Sequence, residues 1–198
     1  MKIILEPYNA NWVTLFQELK IELEQSLQNL SPVIEHIGST SVPGLSAKPI
    51  IDILIGIQCP GDLDKAIEPL LSNGYVFYQK YNREMPYRRF FVKLKDVPES
   101  APVPSIIFDY NAIPNEVNVN RLANIHVVEY NTYHWKRHIA FREYLKQHES
   151  AKAEYQALKL QLSSFEWADF NEYNSGKDSF IKQTEQKAIE WLNQASYF

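Results

Sequence analysis

HIGSTSVPGLSAKPIIDILIGI, residues 36–57, decides how this chain is read. A short apolar segment, Val33–Ile37, runs into Gly38-Ser39-Thr40. A polar loop punctuated by Pro43-Gly44 and Lys48-Pro49 follows, and a second apolar segment, Ile50–Ile57, is interrupted by Asp52. Glycine lets a backbone approach a ligand closely. A hydroxyl and free amides hold phosphate oxygens, and a carboxylate on the next strand can hold a divalent cation. Alternation along a strand puts Asp52 and Leu54 on one face and Ile51 and Ile53 on the other. A second acid beside Asp52 would stand at Leu54.

Outward from this run, the periodicity changes three times. Trp12, Leu15, Phe16, Leu19, Leu23, Leu27 and Leu30 recur at helical spacing, and Ser31-Pro32 ends that helix. Asp62–Leu71 predicts a second helix, with Asp62 as its cap and Pro69 weakening its last turn. Tyr75–Gln79, Arg88–Leu94 and Asn124–Glu129 read as strands. The proline-rich stretch Lys95–Glu116 reads as an excursion from the sheet, with a strand at Ile106–Tyr110. From Thr132 the pattern is helical, with a break near His148–Ser150 and a last helix after Ser175-Gly176. Strands within 33–130 and helices at both ends predict an α+β fold with α/β-like character. The expected architecture is one domain over 1–198, with a helical C-terminal third, 132–194, packed on the sheet core.

The 198 residues are 45% hydrophobic and 13% aromatic, which excludes a disordered chain. Twenty basic against 24 acidic residues, a formal charge of -4, argue against a nucleic-acid partner. One cysteine, Cys59, excludes an internal disulfide framework. No run approaches the roughly 20 apolar residues of a membrane span, so a cytoplasmic protein is expected.

The candidate chemistry gathers around the opening run. Asp52 inside an apolar strand needs a metal, a base or hydrogen-bond donors. Lys48, four residues earlier, would balance phosphate charge. His126, between Ile125 and Val127, offers a proton acceptor or second metal ligand, so Asp52 and His126 are the expected catalytic and metal pair. Arg88 and Arg89 face opposite ways on their strand; Arg89, in phase with Phe91 and Lys93, is assigned to the pocket. His134, His138 and Arg142 are four apart and line one helix face; His138 and Arg142 are assigned to an anionic ligand. Lys177 behind Gly176 is expected to point toward the same anion. The GxxxxGK[ST] phosphate loop is absent.

With these residues assembled, the chain resembles the GrpB family, within the nucleotidyltransferase-like superfamily. The resemblance starts at Pro7-Tyr8 and Trp12, is sharpest over His36–Asp52 and returns at Ile125-His126-Val127-Val128. It continues through Trp135, His138–Leu145, Glu154-Tyr155, Leu158-Lys159, Tyr173 and Lys177. It implies a mixed sheet flanked by helices. In active relatives Gly-Ser holds nucleotide phosphates and paired acids hold Mg²⁺. Gly38, Ser39 and neighbouring Thr40 match the first element and Asp52 the first acid. Leu54 departs from the second, and Asp109 or Glu129 are proposals for a third. Asn124 stands where the family often has the first histidine of a pair, and His126 keeps the second. The implied function is Mg²⁺-dependent transfer or binding of a nucleotide or phosphorylated small molecule. The alternative is a nucleotide-sensing or protein-interaction scaffold without catalysis.

Overall fold

The computed structural model describes residues 2–95, 103–108, 120–168 and 170–194. Five strands form one mixed sheet: β1 (Val33–Ile37), β2 (Ile51–Ile57), β3 (Val76–Phe77), β4 (Arg88–Leu94) and β5 (Arg121–Glu129), in the order β1-β2-β5-β4-β3. β2 and β5 are parallel, and every other neighbouring pair is antiparallel. Among the described residues the α-helices are α1 (Asn11–Ser26), α2 (Ile67–Ser72), α3 (Tyr133–Gln147), α4 (Glu149–Ser163) and α5 (Phe170–Gln194). This is the α+β architecture expected, a mixed sheet flanked by helices. Among the described residues no helix is long and apolar enough to cross a membrane.

The two faces of the sheet are covered differently. α1 buries Trp12, Phe16, Leu19 and Leu23 against Ile51, Ile53, Ile55, Ile125 and Val127. On the other face α3 seats Trp135 on Leu54 and Val128. Gly56 is required there: a Cβ would stand 2.8 Å from the Trp135 ring, so a larger residue would lift α3 off the strand. α5 packs against α3 through Ala140, Ala188 and Leu192. Val42 and Leu45, in the loop before β2, are pinned by Leu145 of α3 and Tyr155 of α4. That contact ties the loop of the opening run to the C-terminal helices.

Several boundaries shift for local reasons. The first helix gives way at Leu27 to a tight 3-10 turn over Gln28–Leu30, and Ser31 turns left-handed at φ 45°. A residue before proline disfavours the helical region, so Pro32 acts earlier than its position suggests. Asp62 makes no capping hydrogen bond; its carboxylate accepts from Lys65 Nζ at 2.9 Å instead. Leu63–Ala66 is a 3-10 turn, and Pro69 falls in the first turn of α2, where its missing N–H is tolerated. α5 begins at Phe170, so Ser175-Gly176 lies inside the helix rather than before it. Ile106 makes an isolated parallel bridge to Phe77. Asp109 and Tyr110 lie outside the described residues.

Candidate functional site

A cavity of about 610 Å³ opens on the sheet face opposite α1. Its floor is formed by Asp52 on β2, Asn124 and His126 on β5, and Arg88 and Phe90 on β4. One wall is the Gly38–Lys48 loop, and another is built from Tyr155 and Lys159 of α4 with Tyr173 and Lys177 of α5. The register explains the floor: Asp52 pairs with Asn124, and Phe90 pairs with His126. Odd-numbered neighbours on β2 and β5 go to the apolar core behind.

Gly38 makes the approach of loop to strand possible. It sits at φ 71°, ψ -172°, a region essentially restricted to glycine. A Cβ there would come within 2.8 Å of Asp52 Cβ. The Gly38 turn therefore rests directly on Asp52. Ser39 faces the cavity behind it and accepts from Lys159 Nζ at 3.3 Å. Thr40 is buried and bonds His36 Nε2 at 2.9 Å. His36 stacks on Phe16; burial, then Arg142 and Lys146, lowers its pKa to about 4. It is a neutral core histidine.

Lys48 and Lys177 act on Asp52, and Lys159 joins them in the cavity wall beside Ser39. Lys48 and Lys177 both lie over the Tyr173 ring, at 5.2 and 4.4 Å from its centre. Lys159 is 2% exposed, donates to the Ser46 carbonyl and lies over the Tyr155 ring at 4.8 Å. Burial, then the Lys177 charge, brings Lys48 and Lys159 each down to about 7. Burial brings Lys177 to about 8, with Asp52 pulling the other way. Burial raises the Asp52 pKa, opposed first by its hydrogen bond from Asn124 and then by Lys48, Lys177 and Arg121. The amines are poised near neutrality because burial penalises their charge, with repulsion from Lys177 adding to it at Lys48 and Lys159.

The other end of the cavity is aromatic and carries guanidinium groups. Arg88 lies over Phe90 at 5.2 Å and Tyr81 at 5.9 Å, and its Nη1 donates to His126 Nδ1 at 3.2 Å. Arginine is donor-only, so Nδ1 is the acceptor and Nε2 carries the imidazole proton. Burial, then Arg88 and His138, keeps His126 neutral. Its role as a proton acceptor through Nδ1 is thereby blocked. Arg121 donates to Asn124 Oδ1 at 3.4 Å, and Asn124 Nδ2 donates to Asp52 Oδ1 at 2.9 Å. This series fixes the amide orientation.

The structure brings Gly38, Ser39, Thr40, Lys48, Asp52, His126 and Lys177 to one cavity. It leaves Arg89, His138 and Arg142 out of its lining. Arg89 is on the α1 side of β4, bonded to Asp64 at 2.5 Å; its neighbour Arg88 takes the cavity position. His138 is half-buried beside His126, ring centres 5.8 Å apart, and desolvation, then Arg137, lowers its pKa to about 3. Arg142 clamps Glu35 and the His36 carbonyl, each at 2.7 Å. The His134–His138–Arg142 face is thus packed against the sheet and its edge, with His134 stacked on Tyr87.

Sequence reasoning weighed Arg88 but assigned Arg89, met Lys159 only within the family resemblance, and passed over Arg121. Lys159 falls four residues after Tyr155 on a buried helical stripe, a detectable signal. Arg121 is hidden by a bulge: Lys93 pairs with Ala123 but Leu94 pairs with Arg121. The extra residue, Leu122, rotates Arg121 onto the cavity face against simple alternation.

The Mg²⁺ implied by the nucleotidyltransferase resemblance fits these residues poorly. Leu54 points into the cluster with Ile37, Val128 and Trp135. Among the described residues no three His, Cys, Asp or Glu side chains gather to hold a metal ion. Glu129, at the far end of β5, accepts from the Gly61 amide. A single floor carboxylate among three cations inverts a Mg²⁺ site, which collects oxygens.

The fold and cavity define an α+β domain with a cation-lined pocket over a mixed sheet. The sequence matches the family described as GrpB protein over residues 2–187, and the chain belongs to that family. It is 32% identical to the UPF0157 protein YqkA of Bacillus subtilis, covering 96% of this chain and 48% of that protein, so it spans about half that relative's length. The glutamate-rich protein GrpB of Alkalihalophilus pseudofirmus is 30% identical, over 92% of this chain and 93% of its own. The crystal structure of the conserved protein GrpB from Enterococcus faecalis superposes with a TM-score of 0.73 at 30% identity, covering 94% and 98% of the two chains.

Proposed function

We propose that the cavity binds a small phosphorylated molecule, nucleotides among the candidates. One observation carries this reading: in a chain of net charge -4, five cationic side chains line one cavity against two carboxylates, Asp52 on its floor and Asp178, which is paired with Lys182. An excess of desolvated ammonium and guanidinium charge is suited to an incoming anion. Leu54 favours binding over nucleotidyl transfer, because a two-metal reaction needs a second oxygen ligand where this chain has a buried leucine.

The test is calorimetric titration of the protein with ATP, GTP, CTP and coenzyme A precursors, with and without Mg²⁺. Saturable binding weakened by Lys177→Met is the expected result. Absence of binding by every compound would overturn the reading. Metal-dependent release of pyrophosphate from a bound triphosphate would restore the transferase reading in place of simple binding.

A further inference from the structure

The two ends of the cavity differ enough to specify a ligand more narrowly, on the reading that a phosphorylated molecule binds here. At one end Lys48, Lys159 and Lys177 stand around Ser39 and Asp52. At the other, Arg88 lies along Phe90 and Tyr81, with Met85 beside them. Asp52 and Arg88 stand on β2 and β4 with β5 between them. Asp52 is level with Asn124 and Arg88 with Val128, so two inter-strand steps and four residues of strand separate their backbones, about 16 Å. Orthophosphate would fill one end and leave the other empty.

We infer that the cavity takes a phosphomonoester of a flat-ring compound, its phosphate neutralised by the three lysines without a divalent cation and its ring lying against Arg88 and Tyr81. The lysine end supplies the positive charge that Mg²⁺ supplies where paired carboxylates exist. A terminal phosphate carries close to two negative charges near neutral pH, and three ammonium groups supply more positive charge than that dianion needs. At the ring end, Arg88 Nε is buried without a hydrogen-bond partner, while its guanidinium already lies over the Phe90 and Tyr81 rings. A planar ligand bearing acceptors satisfies both features. Lysines lowered toward neutrality by burial would take up protons as the dianion arrives.

The test compares AMP and pyridoxine 5′-phosphate with ribose 5-phosphate and inorganic phosphate by calorimetry at pH 6.5. Each titration is run in EDTA and in Mg²⁺. At least one ring-bearing probe should bind about tenfold or more tighter than ribose 5-phosphate, the range that base stacking contributes. EDTA should leave that affinity unchanged. Asp52→Asn should tighten it, because the substitution removes a negative charge beside the phosphate; a metal bridge through Asp52 predicts its loss. If Asp52→Asn does not fold, the EDTA comparison on the unaltered protein decides the metal question. Mg²⁺-dependent binding would overturn this inference while sparing the phosphate reading. Equal binding of ribose 5-phosphate would overturn the ring assignment. Binding by none of the four probes would overturn the inference; the phosphate reading falls with it only if the larger nucleotides and coenzyme A precursors fail as well.

Discussion

Three adjacent strands, β2, β5 and β4, present two unlike surfaces. Toward α1 they offer Ile51, Ile53, Ile55, Ile125, Val127 and Phe91, all fully buried. Toward the cavity the intervening residues are Asp52, Asn124, His126, Arg88 and Phe90. The side chains alternate one by one, so no segment is purely structural or purely functional. The dry face supplies the burial that holds the strands in register. The cavity over the wet face can then bury three lysines of the loop, α4 and α5, an arrangement that opposes folding.

The largest expected effect comes from breaking the dry face. Ile53→Ala removes a fully buried side chain from the centre of the α1 core. A loss of about 2–5 kcal/mol follows from the lost burial and the cavity left behind. In a chain of this size each kcal/mol lowers the melting temperature by about 2–4 °C. Thermal melting would read the loss, and calorimetry on the folded fraction should find ligand affinity unaltered. A loss of affinity without a fall in melting temperature would mean that the faces are not separable.

Gly38→Ala attacks the place where the faces meet. The substitution forces a non-glycine residue into a glycine-only backbone region, which costs about 1–3 kcal/mol. Its Cβ also collides with Asp52, so the loop must lift away from β2. Urea unfolding should show the lost stability, and phosphate binding should weaken in the same variant. Stability lost with binding intact would mean that the loop position is irrelevant to the ligand.

The same contrast explains what could be read from the sequence. β1 over Val33–Ile37, β2 with its single acid, and the helices flanking His148 follow from apolar periodicity, because burial enforces that periodicity. The placing of Asp52 with Leu54 on one face was legible for the same reason; the seating of Gly38 on Asp52 was not, because in the sequence that glycine reads as making room for a ligand. The choice between Arg88 and Arg89 was not. Both lie in a strand flanked by apolar residues on each face, and the register with β5 decides between them. Phe91 shares parity with Arg89, yet it marks the α1 core rather than the cavity. Arg121 needed the bulge at Leu122, and Lys159 needed the approach of α4 to the loop. These are long-range placements that no local period encodes.

The lysine cluster gives a pH prediction with opposite signs for stability and binding. Each lysine has a folded pKa depressed below its unfolded value of about 10.4, to about 7 for Lys48 and Lys159 and about 8 for Lys177. Between about pH 7 and 10 the unfolded chain holds more of these protons, so their unfavourable effect is full below pH 7 and fades as pH rises. Anion binding needs the charged amines, so affinity should fall as pH rises through 7 to 8. Lys177→Met should therefore raise the melting temperature of the free protein by a few degrees, about 1 kcal/mol, and weaken phosphate binding roughly tenfold. The stability gain should be largest below pH 7 and shrink toward pH 10. A pH-independent gain would assign the effect to packing rather than charge.

The smallest effect sharpens the comparison most, because it concerns neighbours on opposite faces. Arg89 is paired with Asp64, whose side chain is 66% exposed. Solvent screening limits such a pair to roughly 0–1 kcal/mol. Arg89→Met should leave both the melting temperature and the affinity for AMP nearly unchanged. Arg88→Met should weaken AMP binding while leaving inorganic phosphate binding alone, because Arg88 stands at the aromatic end and the lysines do not move. It also removes the donor to His126 Nδ1, so the imidazole pKa, followed by NMR, should rise as the Arg88 charge beside it disappears. A mere packing role for Arg88 would not move that titration. If Arg89→Met weakened AMP binding as much as Arg88→Met, the register assigning alternate residues of β4 to opposite faces would be wrong, and the cavity's ring end with it.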